Sequence, residues 1–223
     1  FIFVFAILNV FLYSLYLNRY NEAKDVEVLG ETSIEERLQG DNIRYDSIPE
    51  NTTKEKYVSG NIRVYEKDEL KPIENQKFEV IDKSKLVSTF DKPVPLENIE
   101  DTTNVRKFVD ENVFDGSSYE LFNIDVKEKT ATFFQTINSR QIFFNQNALL
   151  TIYWNEENEV YKYEQTGFEE LEDNFDQTET LLPDERAVEV LYQRSLLKPN
   201  STITMISLGY STLVQLTETQ VFA

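Results

Sequence analysis

The first eighteen positions, FIFVFAILNVFLYSLYLN, carry no charge, and only Asn9, Ser14 and Asn18 interrupt the apolar and aromatic run. As a helix the run spans about 27 Å, just under the roughly 30 Å of a bilayer's hydrocarbon core. Tyr13, Tyr16 and Tyr20 lie toward its downstream end, where an aromatic belt forms at a membrane interface. The pattern predicts a transmembrane anchor over residues 1–20. A signal peptide would be shorter and end in small residues, whereas Tyr-Leu-Asn-Arg-Tyr follows here. Asn9, Tyr13 and Tyr16 share one helical stripe. They read either as a contact with another membrane helix or as a tolerated Asn with interfacial tyrosines.

Beyond the anchor the periodicity changes repeatedly. Residues 19–31 read as a polar stalk. Ser33 and Glu36 form a capping box for a short helix ending at Gly40. Residues 44–56 read as loop. Strands are predicted over Tyr57–Tyr65, Lys77–Ile81 and Lys85–Phe90, closed by Pro93 and Pro95. Val105, Phe108, Val109 and Val113 mark a helix over 102–114. Five short strands follow, namely Tyr119–Val126, Thr130–Ile137, Gln141–Phe144, Ala148–Trp154 and Glu159–Gln165, with polar turns between them, as in an antiparallel meander. Glu169 to Asp176 reads as a solvated loop. Pro183-Asp184-Glu185 opens a helix whose inward face is Ala187, Val190, Leu191 and Leu197. Strands over Thr202–Leu208 and Thr212–Leu216 come last. The order implies an α+β fold, with antiparallel sheets and helices on one face. It divides into a 1–20 anchor, a 21–100 stalk and N-terminal subdomain, and a 101–223 C-terminal subdomain with the meander.

Charge and composition narrow the chemistry. The net charge is −18, and every charged residue follows Asn18. Nucleic acid is an unsuitable partner, because its binding needs Lys and Arg on phosphates. Anionic lipid head groups are disfavoured on the same grounds. The chain has no Cys and no His, which removes disulfides, thiol nucleophiles, Ser-His-Asp chemistry and His-ligated metals. No glycine-rich phosphate loop is present, and the acidic stretch from Glu169 lacks the spacing of a calcium loop. No catalytic, cofactor or metal residue emerges. Phe133-Phe134, Phe143-Phe144 and Tyr153-Trp154 read as one core residue beside one cross-strand surface partner, or as an exposed patch for a protein partner. The chain opens on Phe1 and closes within an apolar strand pattern, so residues are expected to be missing at both ends.

Three stretches together resemble a known family. They are AILNVFLYSLY running on to EVLGETSIEERLQGDNI, FFQTINSRQIFFNQNALLTIYWNEENEVYKYEQT over residues 133–166, and LLPDERAVEVLYQRSLLKPNSTITMISLGYSTL over residues 181–213. In order and joint occurrence they are similar to the YycI family. The resemblance implies a non-enzymatic regulator of the WalK/YycG sensor kinase of a cell-wall two-component system in a low-GC Gram-positive bacterium. It implies a YycH-like partner, a single membrane pass, an extracytoplasmic C-terminal domain of YycH/YycI-like fold, and no cofactor. Family members continue to a Pro-x-Trp strand that this chain lacks. The competing classes are an extracytoplasmic ligand- or cell-wall-binding module, which needs a pocket, and a wall hydrolase, which needs two convergent carboxylates.

Overall fold

The computed structural model describes residues 10, 12–14, 33–45, 54–70, 74–172, 178–212 and 219–222. In chain order the helices are α1 (Ile34–Gly40), α2 (Lys67–Leu70), α3 (Thr102–Asn112) and α4 (Asp184–Gln193). The strands are β1 (Arg44–Tyr45), β2 (Lys54–Lys56), β3 (Val58–Ile62), β4 (Gln76–Ile81), β5 (Lys85–Pro95), β6 (Tyr119–Asp125), β7 (Thr130–Ile137) and β8 (Arg140–Gln141). They continue with β9 (Leu149–Trp154), β10 (Glu159–Gln165), β11 (Phe168–Glu172), β12 (Thr178–Thr180), β13 (Thr202–Ile203) and β14 (Thr219–Phe222). The fold is α+β with mainly antiparallel sheets and few helices. Two compact units divide the chain: residues 1–51 with 182–206, and residues 52–181 with 207–223.

The larger unit is built on a seven-stranded sheet in the order β4-β5-β10-β9-β7-β6, with β8 paired to β7. Alternation along the strands fills one face. Leu86 and Phe90 on β5, Tyr163 on β10, Leu150 and Ile152 on β9, and Ala131 and Phe133 on β7 are all buried. Helix α3 covers this face with Val105, Phe108 and Val109, and Phe108 meets Phe90 at 5.8 Å between ring centroids. Asp101 caps the helix by accepting from the Thr103 amide at 2.9 Å. Each such apolar side chain contributes about 1.5–3 kcal/mol on burial. A three-stranded sheet, β11-β3-β14, carries a second cluster around Val58, Phe168 and Phe222. Gln135 on β7 ties the two sheets: its Nε2 donates to Phe168 O at 2.9 Å and its Oε1 accepts from Phe168 N at 2.7 Å.

The smaller unit pairs α1 with α4. Ser33 accepts from the Glu36 amide at 3.3 Å, so the predicted cap and helix are both present. Ile34, Leu38, Ile43 and Val188 form its core. Strand β1 runs parallel to β13, with Arg44 opposite Thr202.

Several elements depart from the sequence pattern. The loop predicted over 44–56 contains β1 and β2, whose partners lie more than a hundred residues away and leave no local periodicity. β5 runs through Pro93 to Pro95. There β4 has ended, so β5 is bonded on one side only, and Phe90 to Pro93 bulge opposite the single residue Tyr161. The predicted strand at 141–144 shortens to β8, and Phe143-Phe144 lies in a turn. The acidic loop from Glu169 begins as strand β11, because the edge of β3 satisfies its backbone; residues 173–176 lie outside the described residues. On α4 the buried residue is Val188, with Tyr192 half-buried beside it, and Leu191 points outward at 40% exposure. The i, i+4 pair Val188–Tyr192 meets α1, which no periodicity within α4 could reveal. The last predicted strands contract to Thr202–Ile203, with residues 213–216 outside the described set.

Candidate protein-contact surface

Of the predicted contact stripe, Asn9 and Tyr16 lie outside the described residues. Tyr13 sits in the helical stretch Leu12–Ser14 and is exposed. Among the described residues no helix is long and apolar enough to cross a membrane.

The sheet aromatics separate into two groups. Phe133 and Trp154 are buried in the main core. Tyr153 faces outward, with the Lys162 ammonium 4.2 Å from its ring centroid. Lys162 and Lys85 both reach Glu164, at 2.8 and 2.7 Å. Burial alone would raise the Glu164 pKa, but the hydrogen bonds from the two lysines outweigh it and hold the carboxyl below its ordinary value.

Phe122, Phe134, Phe143 and Phe144 form one cluster. All six ring pairs lie between 5.0 and 6.0 Å, centroid to centroid. Phe122 stands on β6, which among the described residues pairs only with β7 and so forms an edge of the large sheet. Phe134 lies on β7, while Phe143 and Phe144 follow β8. Tyr210 fixes their approach: Tyr210 N donates to Gln141 O at 2.8 Å, and Phe143 N donates to Tyr210 O at 2.8 Å. Gly209 is required beside it, because a Cβ there would stand 2.2 Å from the Phe143 ring.

Phe144 is the unusual member. It is 72% exposed and holds a left-handed backbone at φ 55°. Bulky residues rarely adopt that region, and a fold seeking only stability places Gly or Asn there. Its ring is nonetheless presented to solvent beside an edge strand. An exposed aromatic with further rings packed behind it is the kind of anchor that protein partners bury. The doubled aromatics at 143–144 were a legible signal. The contribution of Phe122 was not, because it depends on β6 pairing with β7.

A shallow groove of about 670 Å³ lies along β6, lined by Thr102, Arg106, Ser117, Glu120, Thr136 and Ser139 among others. Arg106 Nη2 bonds Asp110 at 3.0 Å and Ser117 O at 3.3 Å, while its buried Nη1 has no partner. Among the described residues no cluster of acids is arranged to hold a metal ion. The carboxyls with resolved shifts, Glu35, Glu164 and Glu189, are all lowered. The strongly shifted tyrosines, Tyr65, Tyr119 and Tyr163, are raised by burial, Tyr163 to about 12, and so stay neutral.

Comparison with known proteins adds the family. No curated protein matches the chain. It is similar in fold to the crystal structure of an uncharacterized protein from Eubacterium rectale, at 11% identity and a TM-score of 0.46, over 82% of this chain and 80% of that one. The YycI family profile, described as YycI protein, matches residues 23–223. The chain therefore belongs to the YycI family, and a regulatory tie to the YycFG (WalKR) two-component system comes with that membership.

Proposed function

We propose that this chain is a non-enzymatic, single-pass membrane protein whose extracytoplasmic domain modulates a sensor histidine kinase of the WalK/YycG type, together with a YycH-like partner. The observation that carries the reading is the family match over residues 23–223, which begins four residues after an uncharged apolar run. Residues 1–20 serve as the anchor, and Asn9, Tyr13 and Tyr16 supply the helix contact to the kinase. The aromatic cluster led by Phe144 supplies the contact outside the membrane. A regulator shifts a kinase only by binding its two states with different affinity. Two contacts, one in the bilayer and one outside it, allow such a difference. The non-enzymatic reading is supported by the side chains themselves: the sequence has no Cys and no His, and Glu35, Glu164 and Glu189 are held below the ordinary carboxyl range, the reverse of what a proton donor needs.

The deciding experiment is a membrane pull-down of the tagged chain beside a form lacking residues 1–18. Recovery of a sensor kinase and a YycH-like protein, with the kinase lost on removing the anchor, is the expected result. Recovery of neither partner, with small ligands or wall fragments retained by the domain, would overturn it. That second reading, a ligand- or wall-binding module, is favoured by one observation: the hydroxyl-lined groove at Arg106.

A further inference from the structure

The large sheet ends on two edges that are built differently. β6 is blunted. It bulges between Leu121 and Asn123, and the Gln141 side chain already occupies its main chain, with Nε2 donating to Glu120 O at 2.9 Å and to Leu121 O at 3.4 Å. Bulges and covered edge groups keep stray strands from pairing with a sheet. β4, at the other edge, has no such device. Its six residues hold one continuous register against β5, from Gln76 opposite Phe90 to Ile81 opposite Lys85. It contains no proline and no bulge, and among the described residues it pairs with β5 alone.

Hydrogen-bond alternation shows which main-chain groups of β4 stay open. Asn75 O accepts from Asp91 N at 2.9 Å, so Asn75 and Asp91 form a bonded pair. Bonded and non-bonded pairs alternate along an antiparallel ladder. Lys77, Glu79 and Ile81 therefore turn their main-chain groups toward β5, and Gln76, Phe78 and Val80 turn theirs outward. The side chains alternate as well. Phe78 and Val80 pack half-buried against the main core, while Lys77 and Glu79 stand exposed on the opposite face.

The charges on this edge select one occupant. An added strand must bond to Gln76, Phe78 and Val80. Where that strand is β4 of a second copy, running antiparallel, the registers that keep most of it paired centre on Lys77, Phe78 or Glu79. Centring on Lys77 sets Lys77 against Lys77, and centring on Glu79 sets Glu79 against Glu79; both oppose like charges. Centring on Phe78 sets Lys77 against Glu79 of the second copy and Glu79 against its Lys77, in the closely spaced non-bonded pairs. It also lays Phe78 against Phe78, covering ring surface that a single copy leaves half open. A solvated edge accounts for Lys77, which is 82% exposed and reaches Asp91 at 3.2 Å. It does not account for an unblunted ladder whose charges attract a second copy in one register and repel it in the next.

We propose that β4 is a homodimerisation edge: two copies of this chain join their large sheets antiparallel across a twofold axis at Phe78, with Lys77 and Glu79 of each copy paired to Glu79 and Lys77 of the other. Such an isologous contact is self-complementary and closes at two copies. The paired strands belong to the larger unit, and the pairing does not depend on the membrane-anchored reading.

The test uses the whole chain in mild detergent with no added partner. Sedimentation equilibrium reads self-association. The native chain is expected to dimerise. Lys77→Glu and Glu79→Lys, each alone, are expected to weaken the dimer by at least about tenfold, since either reversal turns both attractive pairs repulsive. Mixing the two variants is expected to restore dimers, because one copy then sets two acids against two bases. A contact elsewhere, the apolar run included, would not show that rescue. The chain has no cysteine, so single cysteines locate the axis. Phe78→Cys is expected to give a disulfide-linked dimer on mild oxidation, because bonded antiparallel neighbours lie about 5.5 Å apart at Cα, within disulfide reach. Ile81→Cys is expected not to, because its counterpart lies about 20 Å away. Thermal melting of each variant checks that the sheet still folds. A monomeric native chain, dimers indifferent to the charge reversals, or cross-linking at 81 equal to that at 78 would each overturn the proposal. A monomer whose β4 amides gain protection only when a different protein is added overturns it too, and assigns the edge to that partner.

Discussion

The two units of this chain are held together by different physics. The larger one has a continuous apolar core that runs from Leu86 through Phe133 and Ile152 to Val105 and Phe108 on α3. Among the described residues the smaller one has four buried apolar residues, and its helices α1 and α4 are joined by polar contacts across some 150 residues of sequence: Arg37 with Glu189, and Tyr192 with Asp41. Glu189 also accepts from Arg186 and Gln193, so one carboxylate organises three donors. The larger unit draws mainly on hydrophobic burial, which charge screening and mild acid affect little, although the Lys85–Glu164–Lys162 bridges lie on its sheet. The smaller unit depends more on charge-assisted hydrogen bonds, which screening and acid weaken.

Phe133→Ala probes the apolar side of that contrast most severely. It empties the centre of the sheet and is expected to cost about 3–5 kcal/mol, read from the urea midpoint, with little response to salt. Gly209→Ala comes next. Its Cβ must push the Phe143 ring aside, an overpacking expected to cost about 1–3 kcal/mol and to disperse the aromatic cluster, visible as shifts of the aromatic side-chain resonances. Arg37→Ala tests the polar side. It is expected to cost about 1–2 kcal/mol, to raise hydrogen exchange in α1 and α4, and to leave the large sheet protected. A matching loss of protection in β7 and β9 would break the distinction between the units.

Acid sharpens it further. Burial tends to raise the pKa of Glu189, but hydrogen bonds from Arg37 and Arg186 prevail and lower it from 4.5. A depressed carboxyl contributes stability that is fully present above its unfolded pKa and is lost as pH falls through the folded value. The stability gap between the native chain and Glu189→Gln is therefore expected to be full above about pH 5 and to close progressively below about pH 4. A gap unchanged at pH 3 would mean that the carboxylate's charge plays no part. The smallest effect on folding belongs to Phe144→Asn. Relief of the left-handed backbone should leave stability unchanged or raise it by up to about 1 kcal/mol, while recovery of protein partners falls. Unchanged partner recovery would remove the aromatic cluster from the proposed contact.

Local signals were legible where neighbours in sequence set the structure. The Ser33–Glu36 cap, the Val105–Phe108–Val109 stripe of α3 and the β6–β7 and β9–β10 hairpins each follow from residues a few positions apart, and all are present. The signals fail where a distant partner decides. Arg44–Tyr45 and Lys54–Lys56 are polar segments that become strands only because Thr202–Ile203 and Thr178–Thr180 pair with them. Leu191 has the right spacing for burial on α4, yet α1 packs on Val188 and Tyr192 instead. For the candidate surface, the Phe143-Phe144 doublet was visible, while the exposure of Phe144 and its grouping with Phe122 were not.

By itself the sequence determined what chemistry is available: an uncharged apolar run, a strongly acidic body without Cys or His, the α+β class, and the motif order of the YycI family. These are properties of composition and short-range periodicity, which need no knowledge of what meets what. Tertiary structure alone decided which β5 residues bulge opposite Tyr161, which face of α4 is buried, and how four phenylalanines converge at a sheet edge. Each of those depends on contacts between segments far apart in the chain, and the free energy that selects them arises only when both segments are in place.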